Sequence, residues 1–177
     1  KDADILVNNA GAIPGGAIDA VDEDRWRKAW DLKVFGYINM CREIYPAMKA
    51  RGHGVIINVI GTGGERPSAN YIAGAAGNAG LMAFSRAMGA VSANDGIRIV
   101  AVNPGAIETE RLVTLAQNLA GGASPEEAMK KMTANLPFKR AGKPEEVADL
   151  VVFLASERAS YISGTVVTID AGAAARA

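Results

Sequence analysis

The sequence has 177 residues, 49% of them hydrophobic and 21% charged, enough for one domain with a core of its own and too few for two. Nineteen Lys and Arg balance nineteen Asp and Glu, so no net field favours nucleic acid or an anionic membrane, and no basic run with interleaved aromatics argues otherwise. A single Cys and a single His exclude an internal disulfide and leave a transition metal almost no ligands.

The opening residues Lys1 to Asp4 are charged and run into an apolar segment, so no signal peptide is expected, and no apolar stretch is long enough to span a bilayer. The default expectation is a cytoplasmic protein whose partner is a small molecule, with no nucleic acid and no membrane. Ile5-Leu6-Val7, closed by Asn8-Asn9-Ala10-Gly11, predicts a buried parallel strand. Ile13 to Ala20 is a Gly-rich loop. Asp22-Glu23-Asp24 places negative charge where a helix dipole favours it. Trp26, Trp30, Val34, Tyr37, Cys41, Ile44 and Met48 then recur at helical spacing, predicting one long helix over about Asp24–Lys49 with a continuous apolar stripe. Pro46 predicts a kink or boundary near its end. Cys41 lies on the stripe and is read as a buried, inert thiol, and His53 as a solvated turn residue.

Val55–Ile60 predicts a second buried strand, followed by a loop over Gly61–Asn70 and a second long helix over Tyr71–Ser92, rich in Ala and Gly on one side. Ile97–Val102 predicts a third strand, ending at Asn103-Pro104-Gly105. Thr109 to Pro137 reads as a mobile insertion, with helical turns around Leu112–Leu119 and, after the start signal Ser124-Pro125-Glu126-Glu127, around Ala128–Met132. Lys143-Pro144-Glu145-Glu146 opens a helix through Leu154, Thr165–Ile169 is a last strand, and the Ala-rich tail Ala171–Ala177 frays. Strands alternate with helices and are too apolar to have a wet face. The expected fold is therefore α/β, a Rossmann-like doubly wound parallel sheet covered on both sides.

In such sheets ligands sit beyond the carboxyl ends of the strands. Asn8–Gly11, Gly61–Gly64 and Pro104–Thr109 all occupy such ends and are rich in glycine or small residues, which let backbone approach a flat ring. These segments also carry a family likeness. Asp4-Ile5-Leu6-Val7-Asn8-Asn9-Ala10-Gly11, Asn103-Pro104-Gly105 with Thr109, Arg140 to Ala148, Phe153-Leu154-Ala155-Ser156, Ser163-Gly164 and Val167 to Gly172 resemble, in order, the motifs of short-chain dehydrogenases/reductases. The resemblance covers essentially the whole chain. It implies a single Rossmann-type domain over residues 1–177, running from the family's fourth strand to its end, with the first three strands missing from this chain. It also implies an NAD(P)-dependent oxidoreductase acting on a small carbonyl or alcohol by hydride transfer, and a homodimer or tetramer. No Gly-x-Gly-x-x-Gly occurs in the sequence, and family members hold the cofactor pyrophosphate with such a turn. Binding of NAD or NADP is therefore expected of the full-length protein, and to be weak or absent in this chain. Asn9, Ala10, Gly11, Tyr71, Pro104, Gly105, Ile107 and Thr109 are the expected cofactor contacts.

The family's proton transfer uses a Tyr, a Ser that orients substrate, a Lys four residues after the Tyr, and an Asn on the preceding long helix. A phenol loses its proton only near pH ~10 without cationic help. Tyr71 fits the Tyr position, which puts the Lys position on Ala75; the Ser position falls on Gly61, with Thr62 beside it, and the Asn position on Lys33. Asn78, nearly two turns beyond Tyr71, is read as incidental. The expected catalytic residues are Tyr71, Thr62 and Lys33, with the positive charge moved from one helix to the other; the competing expectation for Lys33 is that it reaches out to solvent. Since one of four tetrad residues is kept, a catalytically inactive relative serving as a binding or oligomeric scaffold is the alternative function. A serine hydrolase is disfavoured by the lack of Gly-x-Ser-x-Gly. Leu112, Val113, Leu115, Leu119 and Met132 either face an apolar substrate or the protein's own core. The small residues Ala75, Ala76, Ala79, Gly80 and Ala83 either meet a second copy through the two long helices or pack on the chain's own sheet.

Overall fold

The computed structural model describes residues 3–110, 112 and 124–176. Four strands form one parallel sheet in the order β1 (Ile5–Asn8), β2 (Gly54–Val59), β3 (Ile97–Pro104), β4 (Thr165–Ile169). The register pairs Leu6 with Ile56, Ile56 with Ile99 and Val102 with Val167. The apolar runs of the sequence become these strands because both faces of the middle of the sheet are covered and neither face needs polar residues.

On one face, Leu6, Ile56, Ile97 and Ile99 pack with Cys41 and Met48, joined by Ile44, Phe84 and Met88. The helices there are α1 (Glu23–Trp30), α2 (Gly36–Arg51) and α3 (Ile72–Ser92). On the other face, Ile57, Val100 and Val102 pack on Leu154 and Ala159, with Val147, Leu150 and Val151 of α5 (Pro144–Ala155) alongside. A further helix, α4 (Pro125–Thr133), begins with a capping box in which Ser124 and Glu127 satisfy each other's backbone N–H. β1 departs from the fully buried strand expected there: Leu6 packs into the core, but Ile5 and Val7, which point to the opposite face, are about half exposed.

The first long helix departs from expectation. Pro46 lies inside α2, which runs on to Arg51. The irregularity falls instead at Asp31–Phe35, a π turn between α1 and α2 in which Lys33 and Val34 are buried. Pro46 removes one backbone donor, which the packed helix tolerates, whereas the wide turn delivers a charged side chain inward; π turns are frequent at functional sites. Two strands also shift at their ends. β2 begins one residue earlier than expected and stops at Val59, and β3 continues to Pro104. His53 is exposed, as its turn position implies, with Asp4 3.8 Å away. Val113, Leu115 and Leu119, with most of the Leu112–Leu119 turns, lie outside the described residues.

A buried polar chain crosses the sheet beneath the helices. Asn8 Nδ2 donates to Asn58 Oδ1 at 2.8 Å and lies 3.5 Å from Cys41 Sγ, Asn58 Nδ2 donates to Ser85 Oγ at 2.9 Å, and Ser85 Oγ donates to the Leu81 carbonyl at 2.8 Å. Each buried amide finds a partner, as burial demands.

Candidate active site

The carboxyl ends of β1, β2 and β3 carry the segments that composition singled out. Asn9, Ala10 and Gly11 are exposed just beyond β1. Beyond β2, Gly61 has φ +119, a conformation that favours glycine, and turns the chain into a short helical turn over Thr62–Gly64. Beyond β3, the Gly105 N–H donates to the Ile169 carbonyl and Ile107 bridges to Gly142, while Thr109 is exposed.

Lys33 does not reach out to solvent. Its side chain is buried, and Nζ donates to the Ile60 carbonyl at 2.5 Å and to Asn78 Oδ1 at 3.0 Å. Its stem runs past Gly11, where an added Cβ would lie 3.0 Å from Lys33 Cδ; a side chain at position 11 would crowd it. The π turn is what aims the side chain inward.

Asn78 is not incidental. It is 2% exposed, accepts from Lys33, and its Nδ2 donates to the Gly61 carbonyl at 3.3 Å. Counting four residues from Tyr71 gives Ala75, which is buried without a polar group to offer. The residue that meets Lys33 sits three positions further on, and its signal in the sequence is a lone amide in the first half of a helix whose residues before Ser85 are otherwise Ala, Gly and apolar.

Tyr71 precedes α3 with φ −143 and ψ 41. Its ring lies against two glycines. A Cβ on Gly74 would collide with Tyr71 Cζ and fall 2.5 Å from its hydroxyl, and a Cβ on Gly63 would lie 3.0 Å from Tyr71 Cε1 and 3.4 Å from Asn78 Nδ2. Phenol ring and amide are therefore neighbours across Gly63. The structure thus brings Lys33, Asn78, Tyr71 and the Thr62–Gly64 turn to the end of β2.

The far side of this end is tied down by Glu65, which sequence reading passed over. Its Oε2 accepts from Asn103 Nδ2 at 3.3 Å and from Thr168 Oγ1 at 2.8 Å, and the neighbouring Arg66 donates to the Ala173 carbonyl. Asn103 Oδ1 in turn accepts from the Gly61 N–H. A separate cavity of about 250 Å³ lies beyond β3 and β4, lined by Ile107, Leu136, Phe138, Arg140 and Asp170 among others, and not by Tyr71, Thr62 or Lys33. Phe138 and Lys139 at its rim have left-handed backbones. Among the described residues, no group of His, Cys, Asp and Glu is placed to hold a metal, and no helix is long and apolar enough to cross a membrane.

A sequence model described as Enoyl-(Acyl carrier protein) reductase matches residues 1–174. The chain belongs to the short-chain dehydrogenase/reductase family. It is 34% identical over 172 residues to an uncharacterized oxidoreductase of Thermotoga maritima, covering 97% of this chain and 67% of that protein. It is also 34% identical to the 3-oxoacyl-[acyl-carrier-protein] reductase of the same organism, covering 96% of this chain and 65% of that one. Among solved structures, the L-sorbose reductase of Gluconobacter frateurii complexed with NADPH and L-sorbose superposes with a TM-score of 0.92 at 32% identity, over 99% of this chain and 68% of that one. The chain thus spans about two thirds of the length of these short-chain dehydrogenases/reductases.

Proposed function

We propose that this chain is the reaction-centre portion of an NAD(P)-dependent oxidoreductase that acts on a small carbonyl or alcohol, with Tyr71 passing a proton to or from the substrate oxygen. The observation that carries this is the gathering of Tyr71, the buried Lys33 ammonium and the Thr62–Gly64 turn at the carboxyl end of β2, where an open parallel sheet presents its ligands. Related proteins of the family are named as reductases and as NADPH-dependent.

The described residues fit the nicotinamide half of such a cofactor. Exposed backbone at Asn9–Gly11 and the turn from Pro104 to Thr109 flank the same strand ends, and glycines at 11, 61 and 105 keep side chains out of the way of a flat ring. Asn9, Ala10, Gly11, Tyr71, Pro104, Gly105, Ile107 and Thr109 would hold it. The cofactor supplies the hydride donor or acceptor. Tyr71 supplies or takes the proton, Thr62 orients the substrate oxygen, and Lys33 brings a positive charge to the same strand end. A polypeptide of these 177 residues alone is expected to bind NADPH weakly, because the pyrophosphate needs backbone donors at a helix start.

The scaffold alternative draws on Ala75, a residue without chemistry four positions after Tyr71. Full-length protein assayed by NADPH absorbance with acetoacetyl-CoA and L-sorbose as carbonyl probes separates the two. Turnover that Tyr71→Phe abolishes supports the oxidoreductase; no turnover with either probe, or turnover indifferent to Tyr71→Phe, supports the scaffold.

A further inference from the structure

Two successive carbonyls at the end of β2 are taken by two side chains that also bond each other. Lys33 Nζ donates to Ile60, Asn78 Nδ2 donates to Gly61, and Lys33 Nζ donates to Asn78 Oδ1. Carbonyls at a strand end can be satisfied by neutral amides, and burying an ammonium to do so carries a desolvation penalty that such amides would avoid. The added feature is a fixed positive charge. It is bonded to the Oδ1 of the Asn78 amide, whose Nδ2 lies beside Gly63 together with the Tyr71 ring.

The phenol lies close to the same cluster. Tyr71 comes from just ahead of α3, yet its ring fills the space where a side chain on Gly74 would begin. Asn78 stands four residues after Gly74, one helical turn further on. The phenol and the Asn78 amide therefore stand about one turn of α3 apart.

We propose that Asn78 is a positioning residue for the oxidoreductase proposed above, on which this inference rests. It holds the Lys33 ammonium at the strand end, so that the positive charge comes from the facing helix and the amide from the helix of Tyr71. The positive charge thus stands on the long helix, where the family has its Asn, while the family's Lys position holds Ala75 and the amide comes from Asn78, three residues further along α3.

The test uses full-length protein and four variants: Lys33→Met, Asn78→Leu, Asn78→Ser and the exchange Lys33→Asn with Asn78→Lys. The first readout needs no turnover. A buried, bonded ammonium keeps its protons long enough for nitrogen-edited NMR of lysine side chains. The expected result is a parent signal that Lys33→Met removes, Asn78→Leu also removes, and the exchanged pair restores. The second is steady-state kinetics with NADPH and acetoacetyl-CoA. Asn78→Leu is expected to lower kcat by about tenfold or more with KM changed less than about threefold, and the exchanged pair to recover most of that loss. If Asn78→Leu does not fold, Asn78→Ser, which shortens the side chain and withdraws the acceptor, takes its place in both measurements. An ammonium signal that survives removal of the amide overturns the proposal, as does an exchanged pair that recovers neither signal nor kcat. A parent that reduces no carbonyl probe defeats the oxidoreductase reading, while the ammonium signal still decides whether Asn78 holds Lys33.

Discussion

The phenol of Tyr71 occupies the space into which a side chain on Gly74 would grow, with Tyr71 Oη 2.5 Å from that Cβ position. Gly74 is buried in the first turn of α3, where glycine is otherwise a poor choice. Gly74→Ala is therefore expected to push the phenol out. The cost is about 1–3 kcal/mol of overpacking strain, offset in part by better helix propensity. Thermal melting measures the stability change, and turnover of the full-length protein falls about as far as in Tyr71→Phe. Unchanged turnover in a folded Gly74→Ala protein would place the reacting hydroxyl elsewhere.

Lys33→Met removes the donor that Ile60 and Asn78 share. Each buried acceptor left without a partner costs about 1–3 kcal/mol, partly returned by no longer burying a charge. Stability is expected to fall modestly, and activity as severely as in Tyr71→Phe. Retained turnover in the folded variant shows that Lys33 is only a clamp.

Arg140 forks onto Glu146 through two hydrogen bonds of 2.8 Å, and the Lys143 N–H donates to the same carboxylate. The Arg140 hydrogen bonds first, then that from Lys143, hold the Glu146 carboxyl at about 2. Because the folded value lies below the unfolded one, near ~4.3, the stabilisation is present above that unfolded value. It disappears as pH falls toward about 2. Melting temperature followed from neutral pH to pH ~2 should decline less steeply in Glu146→Gln. The difference should shrink in high salt, because the pair is exposed.

Burial pushes the Cys41 thiol up to about 11, against a smaller opposing effect of the Asn8 hydrogen bond. With 0% exposure and little thiolate at pH ~8, the folded chain is expected to resist alkylation there. Labelling followed by mass spectrometry should appear only with unfolding; labelling of the native chain would mean that α2 opens locally.

Ala76, Ala79, Gly80 and Ala83 are exposed on α3, and an added Cβ at Gly80 meets nothing within 4 Å. Ala75, expected with them, is buried and belongs to the other side of the helix. Pairing of two copies through this face predicts a dimer by light scattering at micromolar concentration, and monomers after Ala83→Glu. A monodisperse parent monomer refutes the pairing.

The strands were legible because Val55–Ile60 and Ile97–Val102 are runs that a doubly covered sheet buries, while Ile5–Val7 and Thr165–Ile169 are shorter apolar runs that pair with them at the edges and stay partly exposed. The π turn was not legible. Trp30, Val34 and Tyr37 follow at spacings of four and three, which a regular helix also satisfies, so one wide turn leaves the stripe intact. Lys33 at the family's Asn position raised the relocation of charge, but its burial lay beyond pattern reading, since a lone charge on a helix defaults to solvent. Asn78 was passed over because counting began from Tyr71. The ring is supplied from outside the helix and arrives at Gly74, a substitution in space that linear spacing does not record.

The wide turn at Asp31–Phe35 also has a meaning for how this chain varies. A π turn holds one residue more than the α turn it replaces, so it behaves as a one-residue insertion absorbed within a helix. Each residue of an α-helix rotates the chain by about 100°. Because the wide turn absorbs its extra residue, removing one of the five would return the helix to α geometry with α1 and α2 little rotated, and would take away the local widening at which Lys33 turns inward. Length at this point is thus fixed as firmly as the identity of Lys33, and insertions or deletions should be tolerated in the loop over Ile13–Ala20 long before they are tolerated here.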